Sequence, residues 1–255
     1  MTFIEAVIDV DNITHTGKSK KPDLEELGKL FDTKVIDELT LTPPTANSSP
    51  KTIKEIKQMI TMIDKLTDEQ KRRYLNTDDD TSYFIKEYMS NNDLAYEDTD
   101  IEMITDSARH IGRYFKNKFM RPRPYLLAEK LGMDMKYFDT DTAQSPAYPS
   151  NHALQARVVA NYYSSIYPQH KSKLLEMAEI SALGRVHAGI HYPSDKVAGY
   201  QVADACMKYF KYDILEDAPL NATGNAVATN VPVVKKKKRY EPAQLFDLIK
   251  RNSQV

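Results

Sequence analysis

Prolines cut this chain into helix-length pieces, and within each piece the apolar residues recur at helical spacing. Ile104, Ala108, Ile111, Tyr114 and Phe115 form one stripe over residues 101–119, and Arg121-Pro122-Arg123-Pro124 ends it. Three more helices are predicted at about 151–167, 171–188 and 195–211, bounded by Pro149, Pro168 and Pro193. Upstream, Ile53, Ile56, Ile60 and Ile63 predict a helix just after the breaker cluster of Pro43, Pro44 and Pro50. Thr67-Asp68-Glu69 reads as the start of a helix near 68–75, and helical text resumes at about 82–90. No segment alternates as a strand does, and no internal repeat is visible. The expectation is an all-α fold: a single-domain bundle of about six or more helices around one core.

The organisation expected along the chain has three parts. Residues 1–49 read as an irregular N-terminal arm, 50–212 as the helical domain, and 213–255 as a tail of different character. The tail carries the basic run Lys235 to Arg239 and a short amphipathic segment around Leu245 to Ile249. The basic run has the composition of a nuclear signal, a nucleic-acid contact or a membrane-surface patch, and a solvated tail is the simpler reading. The apolar residues beyond it suit docking on the core or on a second copy of the chain, so a homo-oligomer is compatible with the sequence.

Composition narrows the function classes. Lys and Arg total 35 against 36 Asp and Glu, for a net charge of -1. That balance argues against a dedicated nucleic-acid binder. No stretch reaches the roughly 18 apolar residues that span a bilayer, so no membrane span is expected. Cys206 is the single cysteine, which removes intrachain disulfides. Glu5 and Asp9 stand where a signal peptide needs basic and then uninterrupted apolar residues. The expectation is a soluble, intracellular protein.

Three segments place polar residues at helix boundaries. In the first, Lys116 lies near the end of the 101–119 helix and Arg123 just beyond it; a cationic helix C-terminus would also serve simply to offset the macrodipole. In the second, Tyr148-Pro149-Ser150-Asn151-His152, Ser150 is a natural N-cap. The free N–H groups there form an anion site that His152 in the first turn would face, although a capped helix with a surface histidine reads the same way. The third runs from Gly184-Arg185 to His191-Tyr192-Pro193-Ser194-Asp195. Ser194 is placed to cap the next helix. Asp195 is placed to accept a hydrogen bond from one imidazole nitrogen of His191, which fixes the tautomer and leaves the other nitrogen nucleophilic, with Arg185 gripping the anion it attacks. His187, His191 and Asp195 also have an HxxxHxxxD spacing that can bind zinc on a continuous helix. Gly189 and Pro193 interrupt that helix, and Ala188 stands where a zinc protease needs Glu, so no metal is expected. His15, His110 and His170 have no evident partner in the sequence and read as structural or exposed.

Taken in order, K-x6-RP, PSNH and R-x5-H-x3-D resemble the type 2 phosphatidic acid phosphatase (PAP2) superfamily, most closely its soluble class A nonspecific acid phosphatases; vanadium-dependent haloperoxidases are related. The resemblance covers about residues 116–195. It implies a helical phosphatase fold and a metal-independent phosphomonoesterase acting through a phosphohistidine. It implies phosphate contacts from Lys116, Arg123, Ser150, Arg185 and the amide of Asn151. It further implies His152 as general acid, His191 as nucleophile and Asp195 as its orienting partner. No cofactor is implied for a phosphatase, with vanadate as an inhibitor, or as cofactor in the haloperoxidase alternative. A non-catalytic anion-binding protein is the third reading. Two positions depart from the pattern: Asn151 replaces a Gly, and Gly184 replaces the Ser that usually precedes the Arg. The Asn151 amide is expected to be free to donate to the ligand, and the loss of a hydroxyl at 184 to weaken support around Arg185.

Overall fold

The computed structural model describes residues 10–17, 20–138 and 140–215. The described residues are helical, with one isolated β-bridge between Phe31 and Phe210. The helices are α1 (Leu24–Gly28), α2 (Val35–Glu38), α3 (Pro50–Ile63), α4 (Asp68–Asp78), α5 (Tyr83–Asn91), α6 (Asp98–Phe119), α7 (Pro124–Lys130), α8 (Asn151–Ile166), α9 (Lys171–His187) and α10 (Pro193–Cys206). None of them is long and apolar enough to cross a membrane.

The helix starts follow local chemistry. Ser49 caps α3 by accepting from the Thr52 N–H at 3.1 Å, and Pro50 sits in the first turn where its missing N–H costs nothing. Thr67 and Gln70 form a reciprocal capping box at the start of α4. α7 lies between the helices predicted at 101–119 and 151–167. Pro124 is its first residue, where a missing N–H costs nothing.

α8 is the central helix. It packs against α6, α9 and α10, and most of its residues are buried, among them Leu154, Val158, Val159, Tyr162 and Ile166, with Arg157, Asn161 and Ser165 left as a narrow polar stripe. A helix surrounded by others needs little polar face. At the crossing with α10, a β-carbon on Gly199 would lie 2.7 Å from the Ser150 carbonyl oxygen, so glycine there lets α10 approach the start of α8.

The segment read as an irregular arm is, over its described residues, packed into the main core. Leu27, Leu30, Phe31, Val35, Leu39 and Leu41 are buried with Ile104, Ile111 and Phe115 of α6. α1 lies against α6, and the chain at Leu30 to Asp32 pairs with the backbone at Tyr209 and Lys211. The breakers shorten its helices without freeing it from the core, because its leucines bury apolar surface that α6 leaves open. The tail from residue 216, with its basic run and its amphipathic segment, lies outside the described residues.

Candidate active site

The three motifs converge at the end of α6, the start of α8 and the α9–α10 junction. α6 finishes in a left-handed residue, Met120 (φ 48°), which turns the chain into the Arg121–Pro124 strap. Gly189 (φ 76°) makes the corresponding turn between α9 and α10, where an added β-carbon would lie 2.9 Å from the Lys136 carbonyl. The junction therefore needs glycine on conformational and steric grounds. The Tyr148–Pro149 peptide before Ser150 is cis.

The loop before α8 binds two of the cations. Lys116, predicted to point off the last turn of α6, is buried and donates to the Pro146 carbonyl. Arg123 donates from Nε to the Ser145 carbonyl at 2.8 Å and from Nη1 to the Ile190 carbonyl at 2.8 Å. The same Nη1 lies 3.0 Å from His191 Nε2. Arg185, also buried, donates to Asp78 Oδ1 and Thr142 Oγ1, both at 2.6 Å. Three cationic side chains thus share one buried region. Burial and the neighbouring Arg123 hold the Lys116 amine well below its usual range.

His191 is buried, with Nδ1 3.2 Å from Asp195 Oδ2. A guanidinium only donates, so Nε2 facing Arg123 must carry the lone pair, and Nδ1 carries the proton that Asp195 accepts. Burial, then Arg123, Lys116 and Arg185, push the His191 pKa well below the ordinary value, so the ring is neutral with its lone pair on Nε2. Ser150 is the N-cap of α8 as predicted, accepting from the Ala153 N–H at 3.4 Å. His152 follows in the first turn; its Nε2 is 3.2 Å from the Asp78 carbonyl, which fixes that nitrogen as a donor. Burial and Arg185 also lower its pKa.

Two local expectations are corrected. Ser194 does not cap α10. The helix starts at Pro193, and Asp195 reaches back to the Tyr192 N–H at 2.9 Å, while the Ser194 hydroxyl donates to Glu55 at 2.8 Å. The proline in the first turn moves the start two residues earlier and places Ser194 inside the helix. The Asn151 side-chain amide, read as a donor to the ligand, is turned to α6 and donates to the Arg109 carbonyl at 3.4 Å. Gly184 brings α9 within 3.3 Å, measured from an added β-carbon, of the Tyr74 backbone in α4. That approach carries Asp78 to Arg185, a partner supplied from another helix.

Sequence reading passed over Arg121, Glu55 and Asp78, although all three surround the predicted residues. Arg121 was legible only as half of a doubled Arg-Pro. Asp78 and Glu55 lie on helices remote in sequence, and no local spacing marks them. His15, read as structural, accompanies the site: its Nε2 is 3.1 Å from the Gln144 carbonyl, and burial, Arg123 and Lys116 lower its pKa. His110 accepts from the Asp23 N–H at 2.7 Å, and His170 lies 2.7 Å from the Tyr88 hydroxyl. Among the described residues no group of three or more His, Cys, Asp or Glu is arranged to hold a metal.

The model of the PAP2 superfamily matches residues 104–214, a span that contains every predicted site residue. Over this stretch, less than half of the chain, the sequence is similar to the PAP2 superfamily. The PAP2 fold is also seen in a solved bacterial vanadium-dependent chloroperoxidase in its holo form. It is 12% identical to this chain, with a TM-score of 0.50, over 71% of this chain and 52% of that one. The chain therefore spans about half the length of that neighbour. A transmembrane PAP2 type phosphatidylglycerolphosphate phosphatase from Bacillus subtilis also matches at 12% identity, with a TM-score of 0.32, over 72% of this chain and 84% of that one. No curated protein matches.

Proposed function

We propose that this PAP2 protein is a metal-independent phosphomonoesterase of the acid phosphatase type, with His191 as nucleophile. The observation that carries the reading is the state of His191. Asp195 accepts a hydrogen bond from Nδ1–H, and Nε2 presents its lone pair among three buried cations. In the first step the Nε2 lone pair forms a bond to phosphorus and the P–O ester bond breaks. His152 gives its proton to the leaving oxygen. Water then attacks phosphorus, passing a proton to His152, and the P–N bond breaks to release phosphate. Lys116, Arg123, Arg185 and the N–H groups at the start of α8 offset the charge on the phosphoryl oxygens throughout.

The same donors suit vanadate: three cations for its oxygens and the His191 Nε2 lone pair for the metal. Bound there it would inhibit phosphoryl transfer, or in the haloperoxidase alternative supply the centre that activates peroxide. One set of assays separates the readings. The protein is expected to hydrolyse p-nitrophenyl phosphate equally with and without EDTA, with competitive inhibition by orthovanadate. Rapid denaturation at alkaline pH, where a P–N bond survives, should trap phosphate on His191. Replacement by alanine should cost up to about 10⁶-fold in turnover. Bromide oxidation by vanadate-loaded protein without phosphatase turnover would assign the haloperoxidase chemistry instead. Binding of phosphate with neither activity would leave an anion-binding protein.

A further inference from the structure

Behind the His191–Asp195 pair lies a buried ion cluster that the phosphoryl chemistry above does not use. The Arg121 side chain is 1% exposed, and its Nη1 donates to Asp195 Oδ1 at 2.6 Å and to Ser194 Oγ at 2.9 Å. Its guanidinium carbon lies 3.7 Å from the centre of the Tyr192 ring, within the range of cation–π attraction. Glu55 closes the far side: it accepts from the Ser194 N–H and hydroxyl, both at 2.8 Å, and stands 3.5 Å from Arg121 Nη2. The residues come from α3, the strap after α6 and the first turn of α10. None of them belongs to the cage of Lys116, Arg123 and Arg185.

The position of Arg121 explains how a wholly buried carboxylate stays a proton acceptor. Asp195 is 0% exposed, and burial favours its neutral form. A neutral Asp195 would hold a proton of its own and could donate it to His191 Nδ1. The ring proton would then move to Nε2 and the nucleophilic lone pair would be lost. Arg121 opposes this by giving Asp195 a cation and a hydrogen bond on Oδ1, the oxygen that faces away from His191, in addition to the Tyr192 N–H on Oδ2. Glu55 and Ser194 in turn hold the guanidinium in that orientation. We propose that Arg121, backed by Glu55, is a positioning residue that keeps Asp195 as the acceptor of the His191 Nδ1 proton and so keeps Nε2 nucleophilic. The inference rests on His191 being the nucleophile, but its central claim concerns the tautomer and is measurable without turnover.

The test compares Arg121→Met, Arg121→Lys and Glu55→Gln with wild type by two readouts. The first is the tautomer of His191 from long-range ¹H–¹⁵N NMR of the histidine rings. It should be Nδ1–H in wild type and shift towards Nε2–H in Arg121→Met. The second is steady-state hydrolysis of p-nitrophenyl phosphate with inhibition by inorganic phosphate. Loss of the carboxylate effect costs about 10⁴-fold in Ser-His-Asp enzymes, and Arg121→Met, one contact further out, should lower kcat on the order of 10²-fold. KM and the phosphate inhibition constant should stay within about three-fold, because the cage is untouched; a general loss of structure would move them as well. Arg121→Lys should recover part of kcat and the wild-type tautomer, since an ammonium can reach Asp195 but has no second nitrogen to face Glu55. If Arg121→Met does not fold, Glu55→Gln and Arg121→Lys decide the matter. Unchanged kcat in both, or an unchanged tautomer in a folded Arg121→Met, overturns the proposal. A wild type without phosphatase turnover defeats the proposed function, and the NMR readout then still decides the role of Arg121.

Discussion

Gly112 of α6 and Asn151 of α8 occupy one another's space. A β-carbon on Gly112 would lie 1.8 Å from Asn151 Oδ1 and 3.1 Å from a methyl of Leu154. The asparagine that stands in place of the usual PAP2 glycine therefore fits because the facing helix has a glycine of its own. The side chain is directed to α6, while the backbone N–H at 151 remains in the first turn of α8.

Gly112→Ala is expected to push the Asn151 side chain out of its slot, breaking its contact with the Arg109 carbonyl. In a helix interior Ala is otherwise favoured over Gly by up to about 1 kcal/mol, so the sign of the effect depends on Asn151. Denaturant unfolding should show Gly112→Ala neutral or destabilising in wild type and stabilising in an Asn151→Gly background. Equal effects in both backgrounds would show that the two residues do not interact.

His152 is proposed to protonate the leaving group, a role worth about 10² to 10⁴-fold when the leaving oxygen is basic. His152→Ala should therefore slow hydrolysis of alkyl phosphates far more than that of p-nitrophenyl phosphate. Parallel rates for the two substrate types would assign His152 to binding alone.

Arg123 and Arg185 each use more than one guanidinium nitrogen on different partners. An ammonium has no such fork. Lys at either position is expected to leave turnover reduced by about 10²-fold, the cost of losing one preorganised oxyanion donor. Full recovery of kcat/KM in Arg123→Lys or Arg185→Lys would mean that net charge suffices.

The pH dependence follows from the two histidines, both held below the ordinary histidine value of 6.5 chiefly by burial, with Arg185 next at His152 and Arg123 next at His191. The proposed mechanism needs His191 neutral and His152 protonated. A lowered pKa at His191 keeps the nucleophile neutral into acid solution. A lowered pKa at His152 means its proton is lost early as pH rises. The descending limb of kcat/KM should then lie on the acid side of 6.5, with the ascending limb set by His191. A descending limb well above 7 would rule out His152 as the acid in the free enzyme.

By itself the sequence determined the local pieces and the order of the chemistry. Helical spacing and prolines placed α3 to α6 and α8 to α10 within a few residues, because amphipathic periodicity and capping act over single turns. The three motifs named Lys116, Arg123, Ser150, His152, Arg185, His191 and Asp195, because each lies at a helix boundary whose polarity is visible locally. Tertiary structure alone decided what faces those residues. Asp78 meets Arg185 across 107 positions, and Glu55 meets Ser194 across 139. Only the packing of α3 and α4 against the α9–α10 junction brings these groups together, and buried charges select their partners through space, with no spacing for a reader of the chain to count. The same holds for residues 24–41. Their breakers read locally as an arm, and it is the apolar surface of α6, a distant segment, that makes them part of the core.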